Sequence, residues 1–233
     1  MRNKYFAKLF ALLALTGISF SSMGGNGNQL LLKTGTVTLE ENLQTFIENP
    51  VLLPEVFNAR YYRIIQFYKT PDAAQKQVLE LKGVKFLSYL PQHAYFVSIP
   101  YNMDRAGFNG AGISSISEVR NEFKLSENLL RPNLPAHALS NGDRKIDLVL
   151  KYFSDINPQS VLLALEGKDV ELLSRYDYSH LVSVRIDVSR INDLASLPYV
   201  KWIETIRKPS TPDDNRARGL HRANAISSDY ALG

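Results

Sequence analysis

Tyr95-Phe96-Val97-Ser98-Ile99 and His180-Leu181-Val182-Ser183-Val184 are two short apolar runs that match position by position around a central Val-Ser pair. Each is rich in aromatic and β-branched residues and reads as a strand. Outward from them, residues 61–125 and 145–210 carry one order of elements at an offset of roughly 84 to 87 positions, the mark of a duplicated unit. An apolar strand comes first, then a capped helix, a glycine, two more strands, and a last strand ending in Val-Arg or Ile-Arg.

In the first copy the strand is Tyr61 to Tyr68. Thr70 is expected to cap a helix that has Pro71 in its first turn, Val78 and Leu81 on its buried face, and Gly83 at its left-handed end. In the second copy the strand Lys145 to Phe153 puts Ile146, Leu148 and Leu150 on one face. Asn157 caps the helix, Pro158 starts it, Val161, Leu162 and Leu165 are buried, and Gly167 ends it. The two following strands are Val84–Tyr89 with Ala94–Ile99, and Val170–Ser174 with His180–Ile186. Ile191, Leu194 and Leu197 predict a second helix stopped by Pro198, whereas Gly107, Gly110 and Gly112 predict that its counterpart is short or lost. The last strands align Ile113, Ile116 and Val119 with Val200, Ile203 and Ile206. The order β-α-β-β-α-β folds, with crossovers of the usual hand, into an antiparallel sheet with both helices on one face. The expected class is therefore α+β, two tandem ferredoxin-like domains at 61–125 and 144–210, joined by an irregular linker over 126–143.

Residues 1–22 read as a secretory signal peptide. Arg2, Lys4 and Lys8 form a basic start, Leu9 to Phe20 is an apolar run short for a bilayer span, and Ser19, Ser21 and Ser22 supply small residues for cleavage. The predicted destination is the periplasm, the cell surface or the medium, with no membrane span left after signal removal. The extension 23–60 opens on Gly24, Gly25 and Gly27 and holds a short amphipathic helix with Leu39, Leu43, Phe46 and Ile47 on one face, expected to pack on the first copy. The chain has 27 basic and 23 acidic residues. Three of the basic ones lie in the signal and no acidic one does, so the remainder carries +1. That removes the electrostatic footprint of a nucleic-acid binder. With no cysteine there is no disulfide, thiol nucleophile or Cys-ligated metal.

Chemistry-bearing patterns are sparse. His93, His137, His180 and His221 lack partners at ligand spacing, no phosphate-cradling or nucleophile-elbow motif occurs, and the glycines at 107–112 do not open a helix after a strand. Neither a metal nor a cofactor is expected. Asp213 with Asp214, and Arg216-Ala217-Arg218, lie beyond the last strand among Pro209, Pro212 and Gly219 and read as a solvated linker. The candidate binding surface is the helix-free face of each sheet, for which Phe96, Leu181 and Trp202 are the candidates, Trp202 reading equally well as core.

Signal peptide, doubled unit and then Pro212-Asp213-Asp214-Asn215-Arg216-Ala217-Arg218-Gly219-Leu220-His221-Arg222-Ala223-Asn224 form an order that resembles the N-terminal prodomain region of secreted subtilisin-like serine proteases of the Bacteroidota type. Arg218 to Asn224 is similar to the stretch that joins prodomain to protease there, and it makes 211–233 a linker with Arg216, Arg218, His221 and Arg222 as processing or linker residues. The Asp, His and Ser blocks of a subtilisin triad do not occur in this sequence. His221 belongs to the linker pattern, so the chain itself is expected not to be an enzyme. It reads as a fragment of a longer precursor, a truncated product or a free-standing relative. The resemblance implies a folding assistant and inhibitor of a subtilisin-like catalytic domain, in cis or in trans. Its second copy would dock by the sheet, and the extended segment after it, starting at Ile206, Arg207 and Lys208, would lie in the substrate cleft. The alternative from another class is a secreted non-catalytic interaction module or free-standing inhibitor.

Overall fold

Gly83 and Gly167 end the first helix of each copy in the left-handed conformation, at φ +91° and +72°. Each thereby turns the chain into an antiparallel sheet. A computed structural model describes residues 29–39, 42–131, 133–140, 142 and 144–208. It is a mixed α+β protein with two larger antiparallel sheets, a small hairpin and short helices.

The hairpin is β1 (Gln29–Leu32) with β2 (Gly35–Thr38). Helix α1 (Leu43–Glu48), capped by Asn42, is shorter than the predicted amphipathic stretch, and it packs on the first copy as expected. Its buried Phe46 meets Tyr61 and Phe108. The first sheet contains β3 (Val56–Phe57), β4 (Arg60–Phe67), β5 (Lys85–Leu90), β6 (Ala94–Pro100) and β7 (Ile113–Glu118). Its order is β5-β6-β4, with β3 and β7 along the far edge of β4. Helix α2 (Ala73–Leu81) crosses from β4 to β5, and a single 3-10 turn at Arg105–Phe108 replaces the second helix, as the glycines there predicted.

The chain continues through α3 (Asn121–Lys124) and α4 (Glu127–Leu130) into the second sheet. This has β8 (Leu139–Ser140), β9 (Lys145–Tyr152), β10 (Glu171–Tyr176), β11 (Leu181–Asp187) and β12 (Val200–Thr205), in the order β10-β11-β9-β12 with β8 also on β9. Helices α5 (Pro158–Leu165) and α6 (Ile191–Ser196) connect its strands. Asn157 and Pro158 start α5 as the sequence predicts, the Asn157 side chain accepting from the Gln159 amide. Among the described residues no helix is long and apolar enough to cross a membrane. The predicted signal peptide and the 209–233 segment lie outside the described residues.

The two larger sheets share several details of register. Phe67 donates to the His93 carbonyl and Tyr152 to the His180 carbonyl, both at 3.1 Å, and both histidines are left-handed, at φ +60° and +54°. Each sheet skips one residue at the same two places. Leu87 and Leu173 are passed over where β5 meets β6 and β10 meets β11; Ser114 and Lys201 are passed over where β7 meets β4 and β12 meets β9. Such bulges fix register and twist. The alignment of Ile113, Ile116 and Val119 with Val200, Ile203 and Ile206 agrees with this frame.

The match of Tyr95–Ile99 to His180–Val184 does not. Arg63 pairs with Val97, while the corresponding Leu148 pairs with Val184, so in the third strand the equivalence slides by two residues. A slide of two leaves every side chain on its own face, because strand periodicity is two, and hydrophobic patterning therefore cannot detect it. Val97 and Val182 are both buried, yet Val184 is the structural counterpart of Val97.

The start of α2 needs a second correction. Asp72, not Thr70, is its cap, in a reciprocal box with Gln75, and the Thr70 hydroxyl instead lies 2.7 Å from His93 Nδ1. Leu79 is the buried anchor of the helix, while Val78 and Leu81 are 50% and 82% exposed. At 3.6 residues per turn, Val78 and Leu81 lie roughly 100° and 160° around the helix from Leu79, so burying Leu79 on the sheet leaves both outward. In α5 the predicted Val161 and Leu165 are buried, and Leu162 is half-buried. The linker 126–143 is also more regular than expected, since it holds α4 and β8.

Two apolar cores result. One lies between the first sheet and α2, where Leu79, Ile65, Val97, Ile99, Phe108 and Ile116 meet. The other contains the interior of the second copy and runs on to Tyr62, Ile64, Ala94 and Phe96 on the opposite face of the first sheet.

Candidate functional site

The helix-free face of the first sheet is already occupied. Phe153, which follows β9, is fully buried and stacks on Tyr62 with centroids 4.2 Å apart and planes at 4°, and it meets Phe96 edge-on at 5.6 Å. Two residues on, the Asp155 carboxylate accepts from Ser98 Oγ at 2.6 Å and Tyr62 OH at 3.3 Å, with Arg60 Nε at 3.6 Å. Burial and the adjoining Asp155 charge push the Tyr62 phenol well above its usual pKa. On the far side, Phe57 and Tyr199 rings lie 4.5 Å apart. Lys124, 4% exposed, donates from Nζ to the carbonyls of Ala195 at 2.8 Å and Leu197 at 3.1 Å, so a cation closes the C-terminal end of α6. Burial lowers its pKa to about 8, Glu118 opposing.

The helix-free face of the second sheet has no such cover among the described residues. Leu181, Lys151 and Trp202 form one row across β11, β9 and β12, and Ser183, Val149 and Glu204 form the next. Arg185 then pairs with Asp147 through two hydrogen bonds, at 2.6 and 2.9 Å, and lies 3.8 Å from Glu171. This face is charged with apolar islands, whereas its counterpart on the first sheet mixes Tyr62, Ile64 and Phe96 with the buried polar side chains of Gln66, Ser98, Ser115 and Ser117. Beyond β12, Ile206 donates to the Asp147 carbonyl at 3.1 Å and its own carbonyl lies 2.9 Å from His137 Nε2. Arg207 and Lys208 follow, exposed.

The predicted binding residues are thus partly brought together. Leu181 and Trp202 share a row and are half-buried. Trp202 donates from Nε1 to Glu204 Oε2 at 2.9 Å and has Lys33 Nζ 4.9 Å from its ring. Phe96 does lie on the helix-free face, but at 7% exposure under Phe153 it offers a partner little area. Arg216, Arg218, His221 and Arg222 lie outside the described residues.

Phe96 and Trp202 nonetheless share the wall of a cleft of about 470 Å³, where β1 and β5 meet the start of β12. Lys33, Lys151 and Lys201 also line it. Lys201 is the residue at the β12 bulge, and a bulge re-aims a side chain. Its Nζ donates to Ser88 Oγ at 2.9 Å and lies 5.2 Å from the Phe96 ring. Burial, then Lys151 and Lys33, lowers its pKa to about 8.

Sequence reading missed Phe153, Asp155, Lys124 and Lys201. Ser154-Asp155 reads as a turn before a cap, and a lone lysine in a strand reads as solvated. Only three-dimensional convergence separates them from that background. Among the described residues, no group of three or more His, Asp or Glu could hold a metal ion.

A family model described as a domain of unknown function (DUF8729) matches residues 31–121, from β1 through the first sheet to the start of α3. Comparison with curated proteins found no match.

Proposed function

We propose that this chain is the exported prodomain of a subtilisin-like serine protease, built as two ferredoxin-like units, and that the second unit alone engages the catalytic domain. One observation carries the choice of unit. The first sheet spends its helix-free face on Phe153 and Asp155, while the second keeps Leu181, Val149 and Trp202 half-exposed beside the strand from which the chain departs. The two strand orders and their matching bulges support the ferredoxin-like reading of each unit.

The anchoring of Ile206 supports the inhibitory role. A segment that leaves a sheet at a fixed point enters a substrate cleft with less orientational entropy to lose, and it can add to a cleft edge by main-chain hydrogen bonds. The residues after it would occupy the cleft, while the sheet face would supply contact area.

The test is to mix residues 23–233 with the cognate subtilisin-like catalytic domain and follow hydrolysis of a chromogenic peptide. Slow-binding inhibition is the expected result. Full protease activity at micromolar concentrations of this chain would overturn the proposal and favour a non-catalytic interaction module.

A further inference from the structure

The cleft between β1, β5 and β12 combines two properties that pull in different directions. Its walls are largely apolar, with Leu32, Leu90, Phe96 and Trp202 among them, yet three lysines line it. None of the three has a carboxylate partner among the described residues. Lys201 is held by a serine hydroxyl and the face of Phe96, Lys33 by the face of Trp202. The carboxylate of Glu204 is close by, but Trp202 Nε1 engages it.

We propose that this cleft binds a free apolar carboxylate, its hydrocarbon body against Phe96 and Trp202 and its anionic end among the Nζ atoms of Lys33, Lys151 and Lys201. Charge complementarity argues for the anion. Lys201 is partly buried, and the positive charges of Lys151 and Lys33 act on it in addition, so an incoming carboxylate would offset that like-charge repulsion while accepting charge-assisted hydrogen bonds. Size argues for a small molecule, because about 470 Å³ lies within the range of ligand pockets. The ring faces supply the apolar contact that a bare inorganic anion could not use.

Trp202 is the only tryptophan of the chain, so its fluorescence reports on this cleft alone. The full chain is titrated with decanoate below the concentration at which it forms micelles, and in parallel with decanol and with acetate. Decanoate is expected to give a saturable change, decanol to bind about tenfold more weakly or worse, and acetate to give none. Lys201→Met and the exposed Lys151→Met should each weaken decanoate binding severalfold or more, and Lys201→Arg should largely retain it. Two variants guard against a fold effect at either site, and circular dichroism checks both. Equal binding of decanol and decanoate, an unsaturable response, or unchanged affinity in both methionine variants would overturn the proposal.

Discussion

Replacing Phe153 by alanine tests whether the two sheets form one cooperative structure. The ring is fully buried, stacked at 4.2 Å on Tyr62 from the other sheet and edge-on to Phe96. Removing such a ring loses its transfer energy and leaves a cavity, a cost of about 3–5 kcal/mol. For a chain of this length each kcal/mol shifts the melting temperature by about 2–4 °C, so Tm should fall by about 6–20 °C. The specific claim concerns the stack. In a double-mutant cycle with Tyr62→Ala, the coupling between the two rings should be about 0.5–1.5 kcal/mol. Denaturant unfolding followed by both Trp202 fluorescence and far-ultraviolet circular dichroism supplies the measurement. The two probes should coincide in the parent protein and separate in Phe153→Ala, as the second sheet loses its support from the first. Additive effects within about 0.3 kcal/mol, with a melting point lowered by less than a few degrees, would show that the rings do not stack and that the account of the seam is wrong.

Gly83→Ala should cost about 1–3 kcal/mol in chemical denaturation and Gly167→Ala about 1 kcal/mol, because both sit at positive φ but only at Gly83 would the new methyl meet a neighbour, Pro100 Cγ at 2.8 Å. Ile203→Asp places a charge in the fully buried centre of the second sheet opposite Leu150, and several kcal/mol of destabilisation should remove the Trp202 unfolding transition. Deleting residues 207–233 should leave Tm unchanged within a few degrees, since Arg207 and Lys208 are exposed, but should weaken protease inhibition by orders of magnitude; equal inhibition would mean that the sheet face binds alone. Lys124 is a cation at neutral pH but releases its proton more readily in the fold, at a pKa of about 8 against 10.5 in the open chain, and Lys201 is lowered likewise. The unfolded state therefore binds more protons between those values, and stability should rise with pH across that window, by at most about 3 kcal/mol for Lys124 and less for the half-buried Lys201. Above pH 10 the trend should reverse, because burial raises the Tyr61 phenol to about 12 and the unfolded chain then loses its proton first. Lys124→Met should make the rising limb shallower in stability measurements from pH 7 to 10, leaving the part that Lys201 contributes.

What the sequence made legible follows from how local each determinant is. Asn157-Pro158 and the two helix-ending glycines act through backbone stereochemistry within a few residues, and the structure places them as read. Thr70 was a plausible cap by type, but Asp72 with Gln75 satisfies two amides reciprocally and so wins the start of α2. Register in the third strand was beyond reach because a two-residue slide preserves every facing. The seam and the lysine cleft were equally hidden. Phe96 looked like a contact surface from its place in the strand, and the residue that covers it comes from Phe153, far along the chain. No local pattern states which other segment will arrive on an exposed face.

That arrangement has a consequence for biosynthesis. Residues up to Asn121 include everything needed to form the first sheet, but Tyr62, Ile64 and Phe96 gain their cover only after Phe153 and the strands around it have been made. At translation speeds of about 5–20 residues per second, the nascent first sheet waits on the order of ten seconds with an apolar flank bare. During that interval the growing chain is a natural client for a holding chaperone. A ribosome-stalled product ending near residue 125 should cling to one or clump, while the finished chain has no such need.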